Sequence, residues 1–119
     1  MRIYLSGPMS GYLGYNEKGF REAEQLIREA FGDEVEYLYN PADKIPEYEG
    51  IGHDEAMRHS VNELTSDQKY THLVLLEDYW FSKGAMLEVD VAHECGIEIL
   101  DLAMIEKVRP MMNLKDGKR

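Results

Sequence analysis

Cysteine is almost absent from this chain: Cys95 stands alone. No internal disulfide can form, and a reducing, cytoplasmic home is expected. Long apolar runs are missing too. None exceeds four residues, as in Leu73-Val74-Leu75-Leu76, far short of the ~20 that cross a bilayer, so no signal peptide, membrane span or membrane partner is expected. Basic residues are scarce: 13 Lys and Arg stand against 23 Asp and Glu, a net charge of −10. Binding to a nucleic acid backbone runs on Lys and Arg, so no nucleic acid polymer is expected as a partner. Metal-ligand patterns are missing as well. His53, His59, His72 and His93 lack the H-E-x-x-H spacing, and one cysteine cannot complete a structural zinc site, so no metal is expected. Neither a Walker A loop nor a G-x-G-x-x-G fingerprint occurs, and no cofactor is expected.

What is present describes an ordinary globular domain. With 119 residues, 44% hydrophobic and 30% charged, the chain is long enough for one sizeable core. Residues 1–109 read as that domain and 110–119 as a loose polar tail. Met111, Met112 and Leu114 in the tail offer apolar surface to a neighbouring subunit, and a dimer or larger homo-oligomer is expected.

Periodicity supplies the elements. Ile3-Tyr4-Leu5 is a short strand stopped by Gly7-Pro8. From Asn16 to Phe31 the apolar Phe20, Ala23, Ile27 and Phe31 recur at helical steps, with Asn16 as N-cap and Gly32 as terminator. Val35–Tyr39 alternates as a second strand and stops at Asn40-Pro41. Residues 41–53 read as a long loop of the substrate-facing kind. Asp54–Leu64 is a helix capped by Asp54, with Ala56, Met57, Val61 and Leu64 inward. Leu73–Leu76 is apolar on both faces, as a central parallel strand is. Gly84–Glu94 is a helix ended by Gly96, Ile97–Leu100 a fourth strand, and Leu102–Val108 a final short helix. This alternation predicts an α/β fold: a three-layer, Rossmann-like (flavodoxin-like) parallel sheet of order 2-1-3-4 with helices on both faces. Ligands bind such sheets where the chain reverses direction, here between strands one and three. Ser6–Gly11 and Glu77–Gly84 lie at those strand ends.

Glu88 is the residue with most to explain. Its neighbours one helical turn away are Gly84, Ala85, Val91 and Ala92, so its face is small and apolar, while Asp90, His93 and Glu94 face solvent. A carboxylate there is costly unless chemistry requires it. A rim carboxylate in a salt bridge is the competing reading. Tyr4 shares a strand face with Ser6, opposite Ile3 and Leu5. Its hydroxyl needs a partner when buried, and Glu88 is the natural one, an ordinary core tyrosine with a backbone partner being the alternative. Ser82-Lys83-Gly84-Ala85 sets a hydroxyl, a cation and free amides at a helix start, an arrangement that holds anions, although Ser82 also suits plain capping. Gly7-Pro8-Met9-Ser10-Gly11 is a turn suited to a ribose or phosphate. Tyr79, Trp80 and Phe81 suit stacking on a base, with at least one of them in the core.

IYLSGPMSGY, the later YNP, and S-x-G-A-x-x-E followed by A-x-x-x-G together resemble the nucleoside 2-deoxyribosyltransferase-like superfamily, and most closely its small phage-associated branch. The likeness spans residues 1–100. The resemblance implies that Glu88 attacks the anomeric carbon and that Tyr4 orients it. It further implies a substrate-binding set of Ser6, Gly7, Pro8, Met9, Ser10, Gly11, Asn40, Ser82, Gly84 and Ala85. The expected activity is cleavage or transfer at the N-glycosidic bond of a 2′-deoxynucleoside or its 5′-monophosphate; a non-catalytic nucleotide binder is the alternative. The superfamily's helix aspartate falls at Ser60 here, with Asp54 and Asp67 as stand-ins for the proton donor.

Overall fold

The computed structural model describes residues 1–107. Strands β1 (Arg2–Ser6), β2 (Tyr37–Tyr39), β3 (His72–Leu75) and β4 (Glu98–Asp101) form one sheet of order β2-β1-β3-β4. Every pairing is parallel, so the architecture is the α/β sheet that the alternation of elements predicted. Helices α1 (Glu17–Phe31), α2 (Ile45–Tyr48), α3 (His53–Leu64) and α4 (Lys83–Glu94) connect the strands. Residues 102–107 are helical. The tail 110–119, with Met111, Met112 and Leu114, lies outside the described residues.

Strand alternation divides the core in two. Ile3, Leu5 and Val74 point to one face and bury Phe20, Ala23 and Ile27 of α1 together with Leu102 and Ile105. Phe20 and Ile27 are fully buried, each removal from water being worth ~1.5–3 kcal/mol. Tyr4, Leu73 and Leu75 point to the other face, against Leu64 of α3 and Ala92 of α4. An aromatic group fills this second face: the Tyr4 ring stacks on Tyr39 at 5.0 Å and meets Tyr70 edge-on at 5.5 Å.

Several boundaries differ from expectation for identifiable reasons. Residues 41–53 are not a bare loop. Asn40 accepts from the Ala42 amide and starts a 3₁₀ turn (Pro41–Lys44), and α2 follows with proline in its first turn, the position where a missing N–H costs nothing. Asn16 does not cap α1 with its side chain. It sits in the left-handed region at φ 62° and donates instead to the Pro8 carbonyl at 3.0 Å. Nor does Asp54 cap α3, which begins one residue earlier behind Gly52. At the C-terminus of α1, Gly32 (φ 53°) does end the helix, its positive φ being one that glycine adopts without strain.

Candidate functional site

Beyond the C-terminal ends of β1 and β3 the two chains run close together. A Cβ on Gly7 would lie 2.8 Å from the Leu76 Cβ, so only glycine permits this approach. From here the chain after β1 and the chain after β3 diverge around a cleft of about 610 Å³, within the range of small-molecule sites. Ser6–Gly11 form one wall, Ser82, Gly84 and Ala85 another, and α3 a third through Met57 and Ser60. Tyr12, Tyr15, Tyr48 and Phe81 add aromatic surface.

Glu88 forms the floor and is 7% exposed. Its position follows from local rules: α4 starts at Lys83, and one turn further the carboxylate projects back over the sheet. Tyr4 donates to one carboxylate oxygen at 2.5 Å and Ser6 to the other at 2.6 Å. Residues 4 and 6 share a strand face, so both hydroxyls arrive from the same side. The stacked and edge-on rings around Tyr4 fix where its hydroxyl points. Burial raises the pKa of Glu88, while the hydrogen bonds from Ser6, Tyr4 and Ser60 pull it down. The Tyr4 hydroxyl is itself pushed well up, first by burial and then by the Glu88 charge, so it keeps its proton and acts as donor. The result is a carboxylate with both oxygens oriented and one open face toward the cleft. That is the equipment of a nucleophile or an electrostatic stabiliser.

The start of α4 is capped by Ser82, whose hydroxyl oxygen accepts from the Ala85 amide at 3.0 Å. This is the plain capping role, and the same hydroxyl keeps its own proton for a ligand. The first N–H groups of a helix lack intrahelical partners. Those of α4 open where Lys83 and Gly84 line the cleft.

Not every residue singled out in the sequence is used as expected. Ser6, expected to bind ligand, spends its hydroxyl on Glu88. Asn40 is 1% exposed and does not line the cleft. Its amide donates to the Phe20 carbonyl and to Glu24, and its oxygen accepts from Ala42, so it braces β2 against α1. Of the three consecutive aromatics, Phe81 lines the cleft, Tyr79 packs against the second core and Trp80 stays outside both. Asp54 is exposed and is not among the cleft-lining residues. Asp67 sits at the opposite end of the sheet, beside Gln68, to which Arg2 is hydrogen bonded. Ser60 lines the cleft, and its carbonyl lies 3.4 Å from the Tyr4 hydroxyl. Tyr15, Tyr48 and His53 also line it and escaped the sequence reading. For His53 a signal existed: residues 53, 56, 57 and 60 fall on one helical face.

The fold and site together define a Rossmann-like α/β domain with a carboxylate-floored cleft at the switch point of a parallel sheet. The chain belongs to the family described as Domain of unknown function (DUF4406), which it matches over residues 1–101. No curated protein and no solved structure matches it.

Proposed function

We propose that this protein breaks, or exchanges, the N-glycosidic bond of a 2′-deoxynucleoside or its 5′-monophosphate, with Glu88 as nucleophile. The observation that carries the reading is the buried carboxylate held by Tyr4 and Ser6 at the floor of a cleft of nucleotide size. Kinship with the nucleoside 2-deoxyribosyltransferase-like superfamily, carried by the IYLSGPMSGY and S-x-G-A-x-x-E segments, belongs to the same proposal. Glu88 attacks C1′ as the base departs through an oxocarbenium-like transition state, giving a deoxyribosyl ester that water or a second base resolves with retention. The start of α4, with Lys83, favours a 5′-phosphate over a bare hydroxyl. A cytoplasmic location, where such nucleotides are found, and a homo-oligomeric state complete the proposal.

Incubation with each deoxynucleoside 5′-monophosphate, followed by chromatography for free base, tests it. Base release should fall by at least about 10³-fold in Glu88→Ala, the order of effect of losing a covalent catalyst. One observation favours a second reading, that of a nucleotide binder without turnover: among the described residues, Glu88 is the sole Asp or Glu lining the cleft. Calorimetric binding of a monophosphate with no base released over hours would establish the binder and dismiss the enzyme.

A further inference from the structure

We propose that His53 is the general acid and base of this site, protonating the departing nucleobase and later accepting a proton from the attacking water; the inference rests on the glycosidic reading above. A departing base needs that proton. When the C1′–N bond breaks, its electron pair goes onto the base, and an anionic purine or pyrimidine is a poor leaving group. Two carboxyl groups usually share such work, one as nucleophile and one as acid. Among the described residues, Glu88 has no second carboxyl beside it in the cleft. Besides Glu88, the titratable side chains lining the cleft are His53, Lys83, Tyr12, Tyr15 and Tyr48. Of these side-chain types, imidazole is the one that both gives and takes a proton near neutral pH.

Placement agrees with the chemistry. His53 is the first residue of α3, and His53, Ala56, Met57 and Ser60 line the cleft from one face of that helix. Ser60 marks the floor, its carbonyl 3.4 Å from the Tyr4 hydroxyl that donates to Glu88. His53 lies seven residues earlier, about 10 Å nearer the mouth along the helix axis. A sugar seated over Glu88 extends its base outward along this ladder, while its 5′ end meets Ser82 and Lys83 on the other wall. The charged and titratable groups that share the cleft lining or the first turn of α3 with His53 are Lys83 and Glu88 from α4, Tyr48 from α2, Tyr12 and Tyr15 from the segment after β1, and Asp54 and Glu55 on its own helix.

The steps balance. A Glu88 oxygen bonds to C1′, the C1′–N bond breaks, and the His53 imidazolium transfers its proton to the base. Water then bonds to C1′, the ester C1′–O bond breaks to restore the Glu88 carboxylate, and the water's proton passes to the neutral imidazole. The sum is nucleotide plus water giving free base and deoxyribose 5-phosphate.

The test compares wild type, His53→Asn, Glu88→Ala and, as a control on the exposed side of α4, His93→Asn. Base release is measured on the monophosphate that the wild type cleaves fastest, and on 7-methyl-dGMP, whose base leaves neutral without a proton. His53→Asn should lower kcat on the ordinary substrate by about 10²-fold or more and by less than about tenfold on the methylated one. The basic limb of the kcat–pH profile should vanish in His53→Asn. His93→Asn should leave both rates unchanged, and Glu88→Ala should abolish both. Equal losses on the two substrates, or an unchanged pH limb, would overturn the role of His53 while leaving Glu88 in place. No base release from either substrate by the wild type would overturn the glycosidic reading and this inference with it.

Discussion

At the scale of single residues, the decisive feature is a carboxyl group whose burial opposes its charge. Burial pushes the Glu88 pKa up, and donors from Ser6 and Tyr4 recover only part of the shift. The folded chain therefore holds this proton more tightly than the unfolded chain does. Its stabilising effect is complete below the usual carboxylate range and is lost as pH rises from there through the raised folded value. Glu88→Gln keeps the shape and removes the charge, so the variant should gain stability over wild type across that same window and plateau above it. Thermal unfolding of both proteins at stepped pH from 4 to 8 checks this; a difference that shrinks as pH rises would contradict it. The partnership of Tyr4 with Glu88 was legible in the sequence because strand alternation and helix spacing are local rules. That Ser6 would turn to Glu88 was not, since it depends on how closely α4 packs over β1. Asn40 was misread for a related reason: its partners, Phe20 and Glu24, lie on a helix that spacing alone cannot bring to it.

Among elements, the junction of β1 and β3 controls the cleft. The strand ends are drawn together at Gly7, and the Leu76 amide donates to the Ser6 carbonyl at 2.9 Å, extending the ladder one step beyond the strand. Gly7→Ala would bring its Cβ to 2.8 Å from the Leu76 Cβ, an atom that cannot swing aside as a side-chain tip can. The two chains must part. A stability loss of about 1–3 kcal/mol is expected, of the size seen on overpacking a well-filled interior, measured as a lower urea midpoint with unchanged slope. Ligand affinity should fall with it, because the same displacement shifts Ser6 away from Glu88. Strand order and the crevice position were readable in the sequence, because a β-α-β alternation leaves few topologies open. The segment from Pro41 to Tyr48 was not, since its turn and short helix have too few residues to show a period.

For the molecule as a whole, the question is what covers its exposed apolar side chains. Phe81 is 73% exposed and Trp80 57%, and Met86 and Leu87 on the first turns of α4 are exposed beside them. Leu13, at the tip of the segment after β1, is 99% exposed. Scattered surface apolars are normal, but four of these fall within eight consecutive residues. Exposed apolar side chains clustered along the chain in this way suit an interface. The homo-oligomeric state proposed above would place a second copy of the chain here. Its net charge of −10 opposes self-association at long range, a repulsion that salt screens over about 8–10 Å. Association should therefore strengthen with ionic strength. Light scattering is expected to give twice the chain mass of 13.8 kDa at micromolar concentration and physiological salt. The double variant Phe81→Ser, Leu87→Ser should shift that mass toward the monomer while leaving Glu88 and its hydroxyl donors untouched. A wild type that stays monomeric from low to high salt would rule out the shared interface.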